Sequence, residues 1–371
     1  MATAVPMPVD SVDQPAIQAA IPPTWTRGPE ATSAPERSPR PASPVQTPTL
    51  RPTIPTNTPR PPTPTPTVPP ATPTRYVSYI PTLPPSGELG PSKLGLHVVH
   101  NNDPAIMNFA RQTHPAVMKA IGDFGFLAEV RAASPRTTII GRVDDIFIQN
   151  YIGTPEEAAQ EYVSKHLPTY EANPAIDYWE GWNEPDPPTA ELMTWYTRFE
   201  QERVRLMAQH GLRSAIGGFP PGVPELDEFA LFLPAVETAI EYRGILTLHE
   251  GDLGTGDLRY LYGDPLPGYP AYPDRGSGTF RYRWFYRELL EPANLVIPLV
   301  ISELDFSGWD ITNPDEFVEQ LIWYDNGVRQ DGYVIGFTIF TAGGADSTKI
   351  WDINFLLPQL TAYVLSQGRV P

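Results

Sequence analysis

From about residue 91 onward, eight short apolar runs recur, separated by stretches of helical periodicity. The runs are KLGLHVV (93–99), AVMKAI (116–121), TTIIGRV (137–143), IDYWEGW (176–182), RSAIGGF (213–219), ILTLHE (245–250), LVIPLVISEL (295–304) and YVIGFTIF (333–340). Amphipathic helical patterns cover 124–133, 155–170, 191–210, 225–242, 281–290, 314–330 and 354–365. None is read between the first two runs. Near-continuous apolar runs are what parallel strands buried on both faces require. Two helix starts carry a capping pattern with proline in the first turn, Thr154-Pro-Glu-Glu157 and Asn313-Pro-Asp-Glu316. Eight strands, seven of them followed by a helical pattern, in about 280 residues fit a closed (β/α)8, or TIM, barrel. An open doubly wound sheet would usually have fewer strands and a phosphate loop after the first. No G-x-G-x-x-G follows that strand here, and GDLGTGD (251–257) comes after the sixth, where it reads as loop.

The preceding residues cannot join that core. About half of the 47 prolines lie before residue 91, and residues 47–74 form a Thr-Pro tract. Such a tract lacks an amide donor at every proline and has little to bury, so it stays extended. The expected organisation is a disordered Pro/Thr-rich linker or stalk over 1–90 and one barrel domain over 91–371. The Thr/Ser density suits O-glycosylation, which points to an extracellular or cell-surface protein, although no signal peptide is legible at the N-terminus. A net charge of −17 repels polyanions, so no nucleic-acid partner is expected. The absence of cysteine removes thiol nucleophiles, thiolate metal sites and disulfides. The six histidines show no metal-type pairing, so neither metal nor cofactor is expected. No apolar run is long enough to span a membrane. A monomer is expected.

In such barrels the chemistry stands at the C-terminal ends of the strands. Those ends offer His97 or Asn101, Lys119, Arg142, Asn183 with Glu184, His249 with Glu250, Glu303, and Phe340 or Thr341. The fourth strand is unusual in finishing D-Y-W-E-G-W-N-E-P-D (177–186), presenting an amide and a carboxylate where a turn would be expected. Glu184 and Glu303 end strands that lie across the barrel mouth. Two facing carboxylates meet the needs of glycosidic cleavage: one protonates the leaving oxygen, and the other attacks the anomeric carbon or activates water. Glu180 shares the parity of Glu184 and suits a structural place in the barrel interior. Glu250 is a rival to Glu303. His97 and His100 read as polar lining, and Arg142 either binds the nucleophile or pairs with Asp144 or Asp145.

The pair of stretches WEGWNEPD (179–186) and ISELDF (301–306) resembles the retaining glycoside hydrolases of clan A, the "4/7" barrel superfamily, and in this segment is most similar to family 39. The resemblance implies a retaining hydrolase of oligo- or polysaccharides. Glu184 would be its acid/base, Glu303 its nucleophile, Asn183 the ligand of the sugar 2-hydroxyl, and His249 a contact of the nucleophile. Trp182, Arg142, His97 and Trp351 complete the expected substrate-binding set. The chain departs from the superfamily in having Lys119 where an arginine is common at strand two, and Phe340 where a tryptophan is common at strand eight. Trp351 is then the candidate sugar platform. The alternative is a non-catalytic carbohydrate-binding or surface-scaffold protein on the same barrel. The long stretch 251–280, with Tyr260, Tyr262, Tyr269 and Tyr272, would either wall the cleft or pack on its own tyrosines.

Overall fold

The computed structural model describes residues 89–144, 149–264, 273–306, 311 and 313–368. The expected linker, apart from its last two residues, lies outside the described residues, as do Asp145, Tyr269 and Tyr272. The strands are β1 (Leu94–Val98), β2 (Val117–Ile121), β3 (Thr138–Arg142), β4 (Tyr178–Glu180), β5 (Ser214–Phe219), β6 (Ile245–Gly251), β7 (Leu299–Asp305) and β8 (Val334–Ala342). Each is followed by a helix: α1 (Pro104–Thr113), α2 (Leu127–Ala133), α3 (Pro155–Ala172), α4 (Ala190–Gln209), α5 (Leu226–Glu241), α6 (Tyr282–Phe285), α7 (Pro314–Val328) and α8 (Leu357–Ser366). The strands pair in parallel, in sequence order, and β8 closes on β1. This is the (β/α)8 barrel.

Alternation along the strands sorts the side chains into two cores. Outward residues such as Leu94, Leu96 and Val98 pack under the helices with Ile106, Phe109 and their neighbours. Inside the barrel, Val117, Ile140, Ala215, Ile245 and Val300 form an apolar layer, with Tyr178 and Ile335 packed against it. The next inward positions toward the strand ends are polar and buried: His97, Lys119, Arg142, Glu180, Thr247 and His249. An apolar plug thus carries a charged floor, and the site is built on that floor.

Two features differ from the sequence expectation. Helix α1 lies between β1 and β2, where no helix is expected. Its signals are nevertheless local: Asp103 caps it by accepting from Ala105 N, Pro104 opens it, and Ile106, Met107, Phe109 and Ala110 bury one face. Strand β7 begins at Leu299, after Pro298, instead of at 295. It also carries a bulge. Leu248 of β6 pairs with Ile301, but the next residue, His249, pairs with Glu303. Ser302 is the extra residue. Ile301 belongs to the outward core, so plain alternation would also turn Glu303 outward; the bulge re-aims it inward. The capping pattern at Thr154 forms as expected, and the Asn313 side chain caps α7 by accepting from Glu316 N.

Candidate active site

Glu303 stands at the base of the cleft, directly above the charged floor. Its Oε1 accepts from Lys119 Nζ at 2.8 Å and from Arg142 Nη1 at 2.7 Å. Lys119 Nζ also lies 2.7 Å from Glu180 Oε2, and Arg142 Nη1 lies 3.8 Å from the same oxygen. All four side chains are buried. Two cations and two carboxylates therefore balance in a space where an unpaired charge would be costly. Burial would raise both carboxyls. For Glu180, Lys119 and then Arg142 outweigh it and hold the group down at about 2. For Glu303, the His249 ring, Lys119 and Arg142 together hold it well below the usual carboxylate range. The two cations that Glu303 contacts thus favour its ionised form.

Glu184 stands opposite, beyond the end of the short β4, with φ 48°. Its side chain is 41% exposed, so it meets both the cleft and solvent. The loop that carries it is fixed from behind. Glu200 and Arg203 of α4 form a fully buried ion pair at 2.7 Å, and Arg203 donates to Trp179 O and Ala215 O at 3.2 and 2.7 Å. A Cβ at Gly181 would fall 2.7 Å from Glu200 Oε1 and 2.9 Å from Arg203 Nε. That close approach explains the glycine in W-E-G-W-N-E. Gln149 donates to the Asn183 carbonyl and ties the same loop to the segment that precedes α3.

His249 links the two acids. Its Nδ1 is 3.0 Å from Glu184 Oε1, and its Nε2 is 3.7 Å from Glu303 Oε1. A donor atom from each of Glu184, His249 and Glu303 lies within 4.8 Å of the other two, and among the described residues this is the group that could hold a metal ion. The donor set fits one poorly. A divalent ion there would face Lys119 and Arg142, which already share the inner oxygen of Glu303.

The cleft above these groups has a volume of about 760 Å³, and Arg142, Asn183, Glu184, Glu303, Phe340 and Trp351 are among its lining. Five of the expected site residues therefore share one cavity, and His249 lies between its two glutamates. His97 is placed differently. It is fully buried beneath the cleft, stacked on Phe340 with ring centroids 5.0 Å apart. Burial holds its ring well below the usual histidine range, so it is neutral. Trp182 is also not a cleft residue. Its ring is buried in an aromatic cluster with Trp195, Tyr196 and Phe199 of α4, because the chain turns outward immediately after β4. Glu250, the rival acid, is spent on structure: it accepts from Phe280 N and Arg281 N at 2.7 Å and from Tyr324 Oη at 2.5 Å. Tyr262 packs edge-on against Phe280 and Trp323, while Tyr260 is exposed.

The expected site set omitted three residues. Lys119 and Glu180 form the charged floor; both were visible as strand-end or strand-parity residues, but their mutual contact depends on barrel closure. Asp305, two residues past Glu303, lines the cleft. Burial, then the Glu303, Asp252 and Glu184 carboxylates, push its carboxyl up to about 7.

No known protein family and no curated protein matches this chain by sequence. Solved structures do. A family 39 glycoside hydrolase from the gut symbiont Bacteroides cellulosilyticus WH2 superposes with a TM-score of 0.50 at 14% identity, covering 75% of this chain and 64% of that one. A GH5 xyloglucan-specific endo-β-1,4-glucanase from a metagenomic library, in complex with cellotriose, gives a TM-score of 0.47 at 15% identity, over 74% of this chain and 96% of that one. A GH128 endo-β-1,3-glucanase from Pseudomonas viridiflava gives 0.40 at 14%, over 75% and 98%. The chain spans less than two thirds of the family 39 structure. At such identities the likeness establishes the fold; the chemistry has to be argued from the site.

Proposed function

We propose that the protein is a retaining glycoside hydrolase acting on oligo- or polysaccharides, with Glu303 as nucleophile and Glu184 as acid/base. The observation that carries this reading is the pair of opposed carboxylate oxygens within 4.8 Å of each other across the cleft. Retaining enzymes hold their two carboxyls about 5–5.5 Å apart, whereas inverting enzymes need about 6.5–9.5 Å to admit a water. The environments divide the roles. Glu303 is buried and held ionised by Lys119 and Arg142. Glu184 is half-exposed at the rim, where a leaving group departs and water arrives. In the first step Glu303 attacks the anomeric carbon as Glu184 protonates the departing oxygen. In the second, Glu184 takes a proton from water, which displaces Glu303. The hydrogen bond between His249 Nδ1 and Glu184 holds the acid toward the reacting centre. Asn183 and Trp351 supply a polar and an aromatic contact for the sugar. The Thr-Pro tract supports a stalk-borne extracellular or cell-surface setting for a monomeric barrel.

Glu184→Ala tests the reading without disturbing the buried charges. With an aryl glycoside carrying a good leaving group, turnover should fall through slow deglycosylation. Added azide should restore it and give a glycosyl azide of retained configuration. An inverted azide product would reverse the two roles. Undiminished activity in the variant would place the acid/base elsewhere, and sugar binding without turnover in the wild type would favour the non-catalytic alternative.

A further inference from the structure

The charged floor has a consequence for the order of the rates, and it rests on the glycosidase reading. In the free enzyme, Lys119 and Arg142 balance Glu180 and Glu303, all within one buried cluster. When Glu303 attacks, its oxygen bonds to the anomeric carbon, the bond to the leaving oxygen breaks, and the electron pair leaves with that oxygen, which takes its proton from Glu184 above the cluster. Glu303 is now a neutral ester. Both cations remain, with Glu180 alone to offset them. The cluster carries an uncompensated positive charge beneath the ester, in the buried setting where such a charge is least tolerated. Attack by water breaks the bond between Glu303 and the sugar, returns the pair to the carboxylate and restores neutrality. The proton of that water passes to Glu184.

We propose that Lys119 and Glu180 are positioning residues that set the charge beneath the nucleophile, making Glu303 a good leaving group so that the glycosyl-enzyme is hydrolysed faster than it forms. Lys119 acts through Glu303: its Nζ is 2.8 Å from the nucleophile and 2.7 Å from Glu180, and it is fully buried. Among the described residues, its ion pairs are with these two carboxylates. A bare ammonium between two carboxylates holds both as a point charge, without the fixed fork of an arginine.

Substitutions that change the charge sum should therefore switch the rate-limiting step. Pre-steady-state release from a panel of dinitrophenyl glycosides reads this directly in the full-length protein. The wild type should show linear release with no burst. Lys119→Met leaves one cation for two carboxylates, so that glycosylation now neutralises the cluster. It should show a burst approaching one equivalent per site and a lower steady-state kcat with a lower KM. The double variant Lys119→Met/Glu180→Gln returns to one cation and one carboxylate. It should fold even if the single variant folds poorly, and it should lose the burst. A merely structural role would lower activity in all variants without producing and then abolishing a burst. A burst in the wild type, no burst in folded Lys119→Met, or a burst that persists in the double variant would each overturn the inference while leaving the glycosidase reading intact. Failure of the wild type to turn over any glycoside of the panel would overturn both.

Discussion

Replacing Asp305 with asparagine should stabilise the protein, and only above a certain pH. The carboxyl sits at the end of β7 in the cleft, where burial and the neighbouring Glu303, Asp252 and Glu184 carboxylates raise it from 3.8 to about 7. A raised acid favours the folded state in its protonated form. Its contribution is therefore fully present below about 3.8, declines as pH rises, and is lost once pH passes about 7. At about 1.36 kcal/mol per pH unit, the whole span amounts to no more than about 4 kcal/mol. The open cleft lets solvent screen part of the repulsion, so about 1–3 kcal/mol is expected. For a domain of this size that is a rise in Tm of about 3–10 °C. Asparagine keeps the shape and removes the charge. Thermal or urea unfolding of wild type and Asp305→Asn, measured from pH 4 to pH 8.5, should show the variant pulling ahead as pH rises and the gap levelling off above about 7. Glu250, pushed up to about 7 by burial, is common to both proteins and cancels in the comparison. Parallel stability curves, or a wild type that is the more stable at pH 8, would refute the reasoning.

Trp351→Ala should raise KM several-fold with little change in Tm, because the ring lines the cleft, whereas Trp182→Ala should cost about 3–5 kcal/mol of stability from its aromatic cluster; sugar titration and thermal melts separate the two. Glu250→Gln should lower stability by about 1–3 kcal/mol, by weakening the hydrogen bonds it accepts from the backbone of Phe280, Arg281 and Tyr282 and from Tyr324 of α7, and should leave the kcat of the folded fraction unchanged. A chain shortened to begin at Leu89 should match the melting temperature of the full chain, since Leu89 O and Gly90 O, which accept from Arg329, would be kept; a drop of more than a few degrees would place the domain boundary earlier.

The barrel was legible because its signals are repeated and local: eight apolar runs spaced by helical periodicity specify parallel units whatever their exact ends. Glu184 and Glu303 stand out in the sequence for the same reason, as polar residues terminating apolar runs. Helix α1 was open to the same reading: Asp103-Pro104 marks its start, and Ile106, Met107, Phe109 and Ala110 bury one face of its ten residues. Trp182 was misplaced because β4 ends at Glu180, two residues before it, so strand parity no longer governs where its ring points. The bulge at Ser302, which turns Glu303 inward, is a pairing property of β6 and β7 and leaves no mark in one strand's sequence. The Lys119–Glu180 contact and the crowding of Asp305 by other carboxylates join residues far apart in the chain, and only the closed barrel brings them together.

A retaining mechanism requires Glu303 to form a covalent bond to the sugar. Activated 2-deoxy-2-fluoro glycosyl fluorides, matched to whichever sugar the protein hydrolyses best, slow the second step and trap that bond. Intact-mass measurement should show one added fluoroglycosyl group per chain, and peptide mapping should place it on Glu303. A label on any other residue, or an active enzyme that is never labelled and releases product of inverted configuration, would contradict the account.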